Sequence, residues 1–171
     1  MKILLNTYLD KGVDKEFSLV SSRGVSTNDY LPRKFFELCP RKDPVKLLNL
    51  QDLCEQMGLA SIIAIDESRR LGLGSFKALG AIYAMAKMVF GENLKEEKDF
   101  VARARIKFSG VTFVTSSAGN HGLSVAAGAR LFGAKARIYV SKYVPEKFKL
   151  QLKDMGAIVT VHGSTYEQSQ E

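Results

Sequence analysis

Over residues 111–161, short apolar blocks alternate with longer amphipathic stretches. Val111–Thr115, Ala136–Val140 and Ala157–Val161 are each five residues long and carry Val, Ile, Tyr or Phe, the composition and length of buried strands. Between them, Gly119 to about Phe132 and Pro145–Met155 have helical length; Pro145 suits a first helical turn and Gly156 the position after a last one. Strand–helix–strand alternation predicts βαβ units and an open, mostly parallel twisted sheet with flanking helices. Upstream, Ser61–Asp66 reads as a further strand. Ala78–Phe90 reads as a helix buried on nearly every side, since Lys87 is its one charge. Lys46–Met57 places Leu47, Leu50, Leu53, Cys54 and Met57 at helical spacing, and Gly58 would stop that helix. Gly91–Lys107 is a charged insertion with a surface helix. The polar start, Tyr30-Leu31-Pro32 and the Pro40–Pro44 region read as an extended arm, dividing the chain into an arm (1–45) and an α/β domain (46–171). Tyr166-Glu167-Gln168 looks like the start of another helix.

Composition narrows the function classes. With 171 residues, 46% hydrophobic and 25% charged, the chain suits one compact domain with a sizeable core, and no apolar run approaches membrane-spanning length. Met1–Leu5 is too short for a signal peptide, and Cys39 and Cys54 form no CxxC pair or disulfide framework, so the expected location is the cytoplasm. His121 and His162 are the only histidines and cluster with no other ligands, so no metal site is expected. The net charge of +7 is dispersed and lacks zinc-finger spacing or an aromatic RNA-binding motif; an anionic small molecule is a better partner than nucleic acid or a membrane.

Two segments carry candidate chemistry. Ser75-Phe76-Lys77 follows Gly72-Leu73-Gly74 and leads into the apolar helix, so Lys77 sits at the mouth of a buried element. Partial desolvation there would favour the neutral amine, which condenses with an aldehyde; the alternative is an ordinary first-turn lysine reaching water. Ser116-Ser117-Ala118-Gly119-Asn120-His121-Gly122 joins a strand to a helix. Its amides and hydroxyls could hold a carboxylate, or a serine could simply cap the helix. Such a turn lies at the carboxyl end of a strand, where open α/β sheets bind ligands. Gly119-x-x-Gly122 lacks the first glycine of a dinucleotide fingerprint, and Gly72–Lys77 has the wrong spacing for a P-loop.

Together these segments resemble the fold type II (tryptophan synthase β-like) pyridoxal-phosphate enzymes. The string Asp66–Lys77, with Leu79-Gly80-Ala81 and Tyr83-Ala84, is most similar to diaminopropionate ammonia-lyases; the resemblance spans roughly Leu47–Glu171. It implies pyridoxal 5'-phosphate as cofactor, Phe76 and Lys77 in the cofactor segment with Lys77 as the Schiff-base lysine, and Asn120 facing the ring hydroxyl. Ser117, Gly119, Asn120 and His121 would hold the substrate carboxylate. The implied activity is α,β-elimination on a small amino acid such as 2,3-diaminopropionate, giving a 2-keto acid and ammonia, in a homodimer. Ala118 departs from the ammonia-lyase pattern, which has an aspartate there as the base for the D-substrate. Alanine cannot move a proton; it favours L-amino-acid chemistry and makes a threonine or serine dehydratase the runner-up. No two of the 14 glycines are adjacent, so the family's glycine-rich phosphate cup is missing. This looks like the N-terminal half of an enzyme, expected to turn over no amino acid by itself; a non-enzymatic alternative is an inactive fragment or partner-binding domain.

Overall fold

The computed structural model describes residues 29–38, 45–91 and 99–171. The parallel alternation expected from the sequence is present. Strands β3 (Thr112–Ser116), β4 (Lys135–Val140) and β5 (Ile158–Val161) form a parallel sheet in the order β3-β4-β5. Helix α5 (Asn120–Leu131) connects β3 to β4, and α6 (Glu146–Asp154) connects β4 to β5. Pro145 stands at the N-cap of α6, and Gly156 follows its end in the left-handed region at φ 88°. The strand alternation turns Ala136, Ile138 and Val140 into the core, where they join Leu152 of α6 and Ala129 of α5.

Helix α3 (Ala78–Phe90) packs on α5, away from the sheet. Its buried residues are Ala78, Ala81, Ile82, Met85 and Ala86, one face of a helix. The expectation of burial on nearly every side is corrected here: Gly80, Ala84 and Met88, four residues apart, form an exposed stripe. Apolar composition alone did not reveal it, because alanine and glycine cost little in water. Helix α4 (Phe100–Lys107) is held by ring contacts from Phe100 to Phe90, Phe35 and Phe132. Residues 92–98 of the charged insertion lie outside the described residues.

Two further expectations are corrected. Residues 46–49 do not extend a helix. They form β1 (Lys46–Asn49), antiparallel to β2 (Ile63–Asp66), with Leu47 opposite Ile65 and Lys46 opposite Asp66. The helix, α2, is confined to Gln51–Met57 and does close at Gly58 in the left-handed region. Pairing with a complementary apolar strand outweighs the helical spacing of Leu47 and Leu50. Within the segment read as an extended arm, Tyr30–Glu37 is helix α1. Pro32 falls in its first turn, where a missing N–H costs nothing, and Phe35 packs edge-on against Phe36 and Phe100 at 5.0 and 5.9 Å. Residues 1–28 and 39–44, including Cys39, lie outside the described residues; Cys54 is a buried free thiol. After β5, a 3₁₀ turn forms at Gln168–Gln170. Its Ser169 Oγ lies 2.5 Å from Ser116 Oγ at the end of β3.

Candidate functional site

The loop from β2 to α3 is shaped by local polar contacts. Asp66 accepts a hydrogen bond from the Ser68 amide at 2.9 Å, and hydrogen bonding by Ser68 lowers the pKa of its carboxyl. Arg70 makes two bonds to the Glu67 carboxylate, one of 2.7 Å. The hydrogen bond from this guanidinium is the main reason the Glu67 carboxyl lies below its ordinary value. Leu71, Gly72 and Gly74 all take positive φ, at 49°, 72° and 69°; Leu71 is the non-glycine residue that does so among the described residues. Ser75, buried, then accepts the Lys77 amide on its hydroxyl at 3.2 Å and leads the chain into α3. Lys77 is exposed and Phe76 is 63% exposed, so the partial burial expected of the lysine is not provided by the described residues.

At the second segment, β3 ends at Ser116 and the chain turns into α5. Ser117 is buried, and its hydroxyl points back into the loop. It accepts the Gly122 amide at 2.9 Å and the Gly119 amide at 3.3 Å, capping the helix from three residues ahead of Asn120. Gly122 keeps this turn close: a Cβ there would lie 3.2 Å from the Ser117 carbonyl oxygen, a tight contact. Gly119 is half-buried, while Ala118, Asn120 and His121 are exposed. Among the described residues, no hydrogen bond engages the amides of Ala118, Asn120 and His121, leaving three donors at a helix start.

A single contact shows that the two segments converge. Ser124 Oγ of α5 donates to the carbonyl of Ala78, the residue after Lys77, at 3.0 Å. The lysine-bearing start of α3 therefore lies against the second turn of the helix that Asn120 opens. Sequence reasoning did not single out Ser124, and it gave Ser75 no role within its segment. The available signal was a lone hydroxyl within Leu123–Ala129, otherwise apolar. An open groove of about 330 Å³ between α1 and α3, lined by Pro32, Phe36, Leu79 and Tyr83, carries no such chemistry, because its Asp29 and Arg33 pair with each other. Among the described residues, no group of His, Cys, Asp or Glu is placed to hold a metal ion, and no helix is long and apolar enough to cross a membrane.

A parallel α/β sheet with amide donors at the carboxyl end of a strand, and an amine on the neighbouring helix, defines a protein suited to a small anionic or carbonyl-bearing ligand. Residues 40–171 match the family model described as pyridoxal-phosphate dependent enzyme, and the chain belongs to that family. It is 31% identical over 142 residues to the diaminopropionate ammonia-lyase of Escherichia coli, covering 81% of this chain and 35% of that protein. A crystal structure of the Escherichia coli diaminopropionate ammonia-lyase in apo form superposes with a TM-score of 0.73 at 31% identity, covering 82% of this chain and 39% of the other. A probable D-serine dehydratase of Rhizobium leguminosarum bv. trifolii is 29% identical over 142 residues, covering 74% of this chain and 32% of its own. The chain thus spans about a third of the length of the curated relatives it matches. Its residues fit part of a pyridoxal phosphate site, with a lysine amine for the aldehyde and an exposed asparagine beside free amides. A run of adjacent glycines for the phosphate is not among the 171 residues.

Proposed function

We propose that this chain carries the lysine and carboxylate-binding segments of a pyridoxal-phosphate-dependent ammonia-lyase that converts a small amino acid of the 2,3-diaminopropionate type to a 2-keto acid and ammonia. The observation that carries the reading is the Ser124–Ala78 hydrogen bond, which joins the starts of the two helices bearing Lys77 and Asn120. Likeness to diaminopropionate ammonia-lyase over 81% of the chain supports the choice of reaction. When bound, the cofactor supplies an electron sink for charge developing at the substrate Cα. Lys77 would hold the cofactor aldehyde and move the Cα proton, with Phe76 beside it. Asn120 would face the ring hydroxyl, and the loop of Ser117, Gly119, Asn120 and His121 would fix the substrate carboxylate, with the unengaged amides of Asn120 and His121 as its donors. The reading includes a homodimer in the cytoplasm and keeps the division into an arm (1–45) and an α/β domain (46–171).

Ala118 favours a second reading, a serine or threonine dehydratase, because it leaves no acid or base opposite Lys77. In the complete enzyme, a panel of amino acids assayed for ammonia release separates the two. The founding test is borohydride trapping of pyridoxal phosphate followed by mass spectrometry. In the complete enzyme, Lys77→Ala should abolish the covalent adduct, and trapping that persists in this variant sinks the assignment.

A further inference from the structure

We propose that Ser124 is a positioning residue: its buried hydroxyl fixes the start of α3 against the start of α5 and so sets where Lys77 stands relative to Asn120. The inference rests on the roles proposed above for those two residues. Serine is a poorer helix former than alanine, and inside a helix its hydroxyl commonly bonds back to its own preceding turn. Here it reaches a different helix. The bond to the Ala78 carbonyl spans 46 residues of sequence, and Ser124 and Ala78 are 0% and 1% exposed, so water cannot replace it.

The rest of the α3–α5 seam explains why one directional contact matters. On the α3 side it is lined by Ala78, Ile82 and Met85, apolar residues whose packing is non-directional. One turn beyond Ser124, Gly128 lets the helices approach so closely that a Cβ there would lie 2.8 Å from Met85 Sδ. That close point resists separation, but a flexible methionine tolerates sliding. Ser124 lies at the site end of the seam, and its hydrogen bond has a preferred length and angle. Close approach at one end and a polar tether at the other together fix both spacing and slide. A displacement on the order of 1 Å at a reacting centre costs about a hundredfold in rate.

The test compares Ser124→Ala with Leu152→Ala, a cavity variant at a fully buried position of α6, away from this seam. Without cofactor, hydrogen exchange at the amides of residues 78–82 and 122–124 should accelerate in Ser124→Ala more than in Leu152→Ala. With pyridoxal phosphate, borohydride trapping at Lys77 should slow roughly ten- to hundredfold in Ser124→Ala and stay near wild type in Leu152→Ala. Unchanged exchange in Ser124→Ala overturns the tether. Wild-type trapping in Ser124→Ala, or equal slowing in Leu152→Ala, overturns the positioning role. If Ser124→Ala does not fold, Ser124→Cys replaces it: its weaker, longer bond should slow trapping several-fold, and a wild-type rate counts against the proposal. Trapping that survives Lys77→Ala removes the lysine role beneath it, whereas the exchange result stands independently of that role.

Discussion

Replacing Ser117 by alanine separates a loop-forming hydroxyl from a ligand-binding one. Its oxygen accepts the Gly122 amide at 2.9 Å and the Gly119 amide at 3.3 Å from a buried position. Gly122 keeps a second acceptor, the Gly119 carbonyl at 2.9 Å, so its loss is partial. Gly119 is half-buried and would be left to water. Loss of a capping side chain costs about 1 kcal/mol, and an incompletely rehydrated amide adds a comparable amount, so we expect about 1–2 kcal/mol in all. For a chain of this size that lowers the melting temperature by about 2–8 °C. The assay is thermal unfolding by circular dichroism with no cofactor or amino acid present, combined with exchange rates of the Gly119 and Gly122 amides. If Ser117→Ala melts within about 1 °C of wild type, or protection at Gly122 is undiminished, the hydroxyl does not shape the loop.

Two other substitutions probe the segments that frame the site. The hydrogen-bonded Arg70 guanidinium holds the Glu67 carboxyl below its ordinary 4.5, so this pair contributes stability above that pH and loses it as pH falls through the folded value. The two side chains are 20% and 23% exposed, and Glu67→Gln should cost about 0.5–1 kcal/mol at neutral pH. Melting curves across pH should show the gap from wild type closing in acid; a gap that widens there contradicts the sign. Gly163 has φ 69°, and a Cβ there would lie 2.4 Å from Gln168 Cβ and 3.1 Å from the Gln168 carbonyl carbon. Gly163→Ala should therefore exceed the roughly 1 kcal/mol of a left-handed alanine, costing more than about 2 kcal/mol and loosening the turn that carries Ser169. An unaltered melting temperature would show that the turn is not packed as described.

What could be read from the sequence was whatever local chemistry decides. The span of α3 was legible in its nearly uncharged run Ala78–Phe90 and that of α6 in Pro145 and Gly156, and the parallel sheet follows from three β-rich blocks separated by helical lengths. The errors arose where a distant partner decides. Leu47 and Leu48 fit a helix or a strand equally well, and pairing with Ile65 and Ala64, more than ten residues downstream, makes them a strand. The segment with Tyr30-Leu31-Pro32 read as an extended arm, yet a first-turn proline leaves a helix intact once Phe35 has an aromatic core to enter.

The candidate site divides along the same line. Lys77 and the Ser117–His121 loop are recognisable as motifs because the backbone chemistry of a strand-to-helix turn is local. Motif spacing does not disclose which hydroxyl turns inward. Ser117 is buried against amides of its own loop, whereas Asn120 and His121, three and four residues on, face out. Ser124 is further removed from any motif logic, because its acceptor belongs to another helix. A sequence can thus name the groups that would meet a ligand, whereas the groups that hold those in register are identified by burial and by who accepts the proton. In this chain the two sets scarcely overlap: the exposed residues Lys77, Asn120 and His121 carry the proposed chemistry, and the buried serines 75, 117 and 124 carry its geometry. Substituting the first set should change rates without moving the melting temperature, and substituting the second should move both.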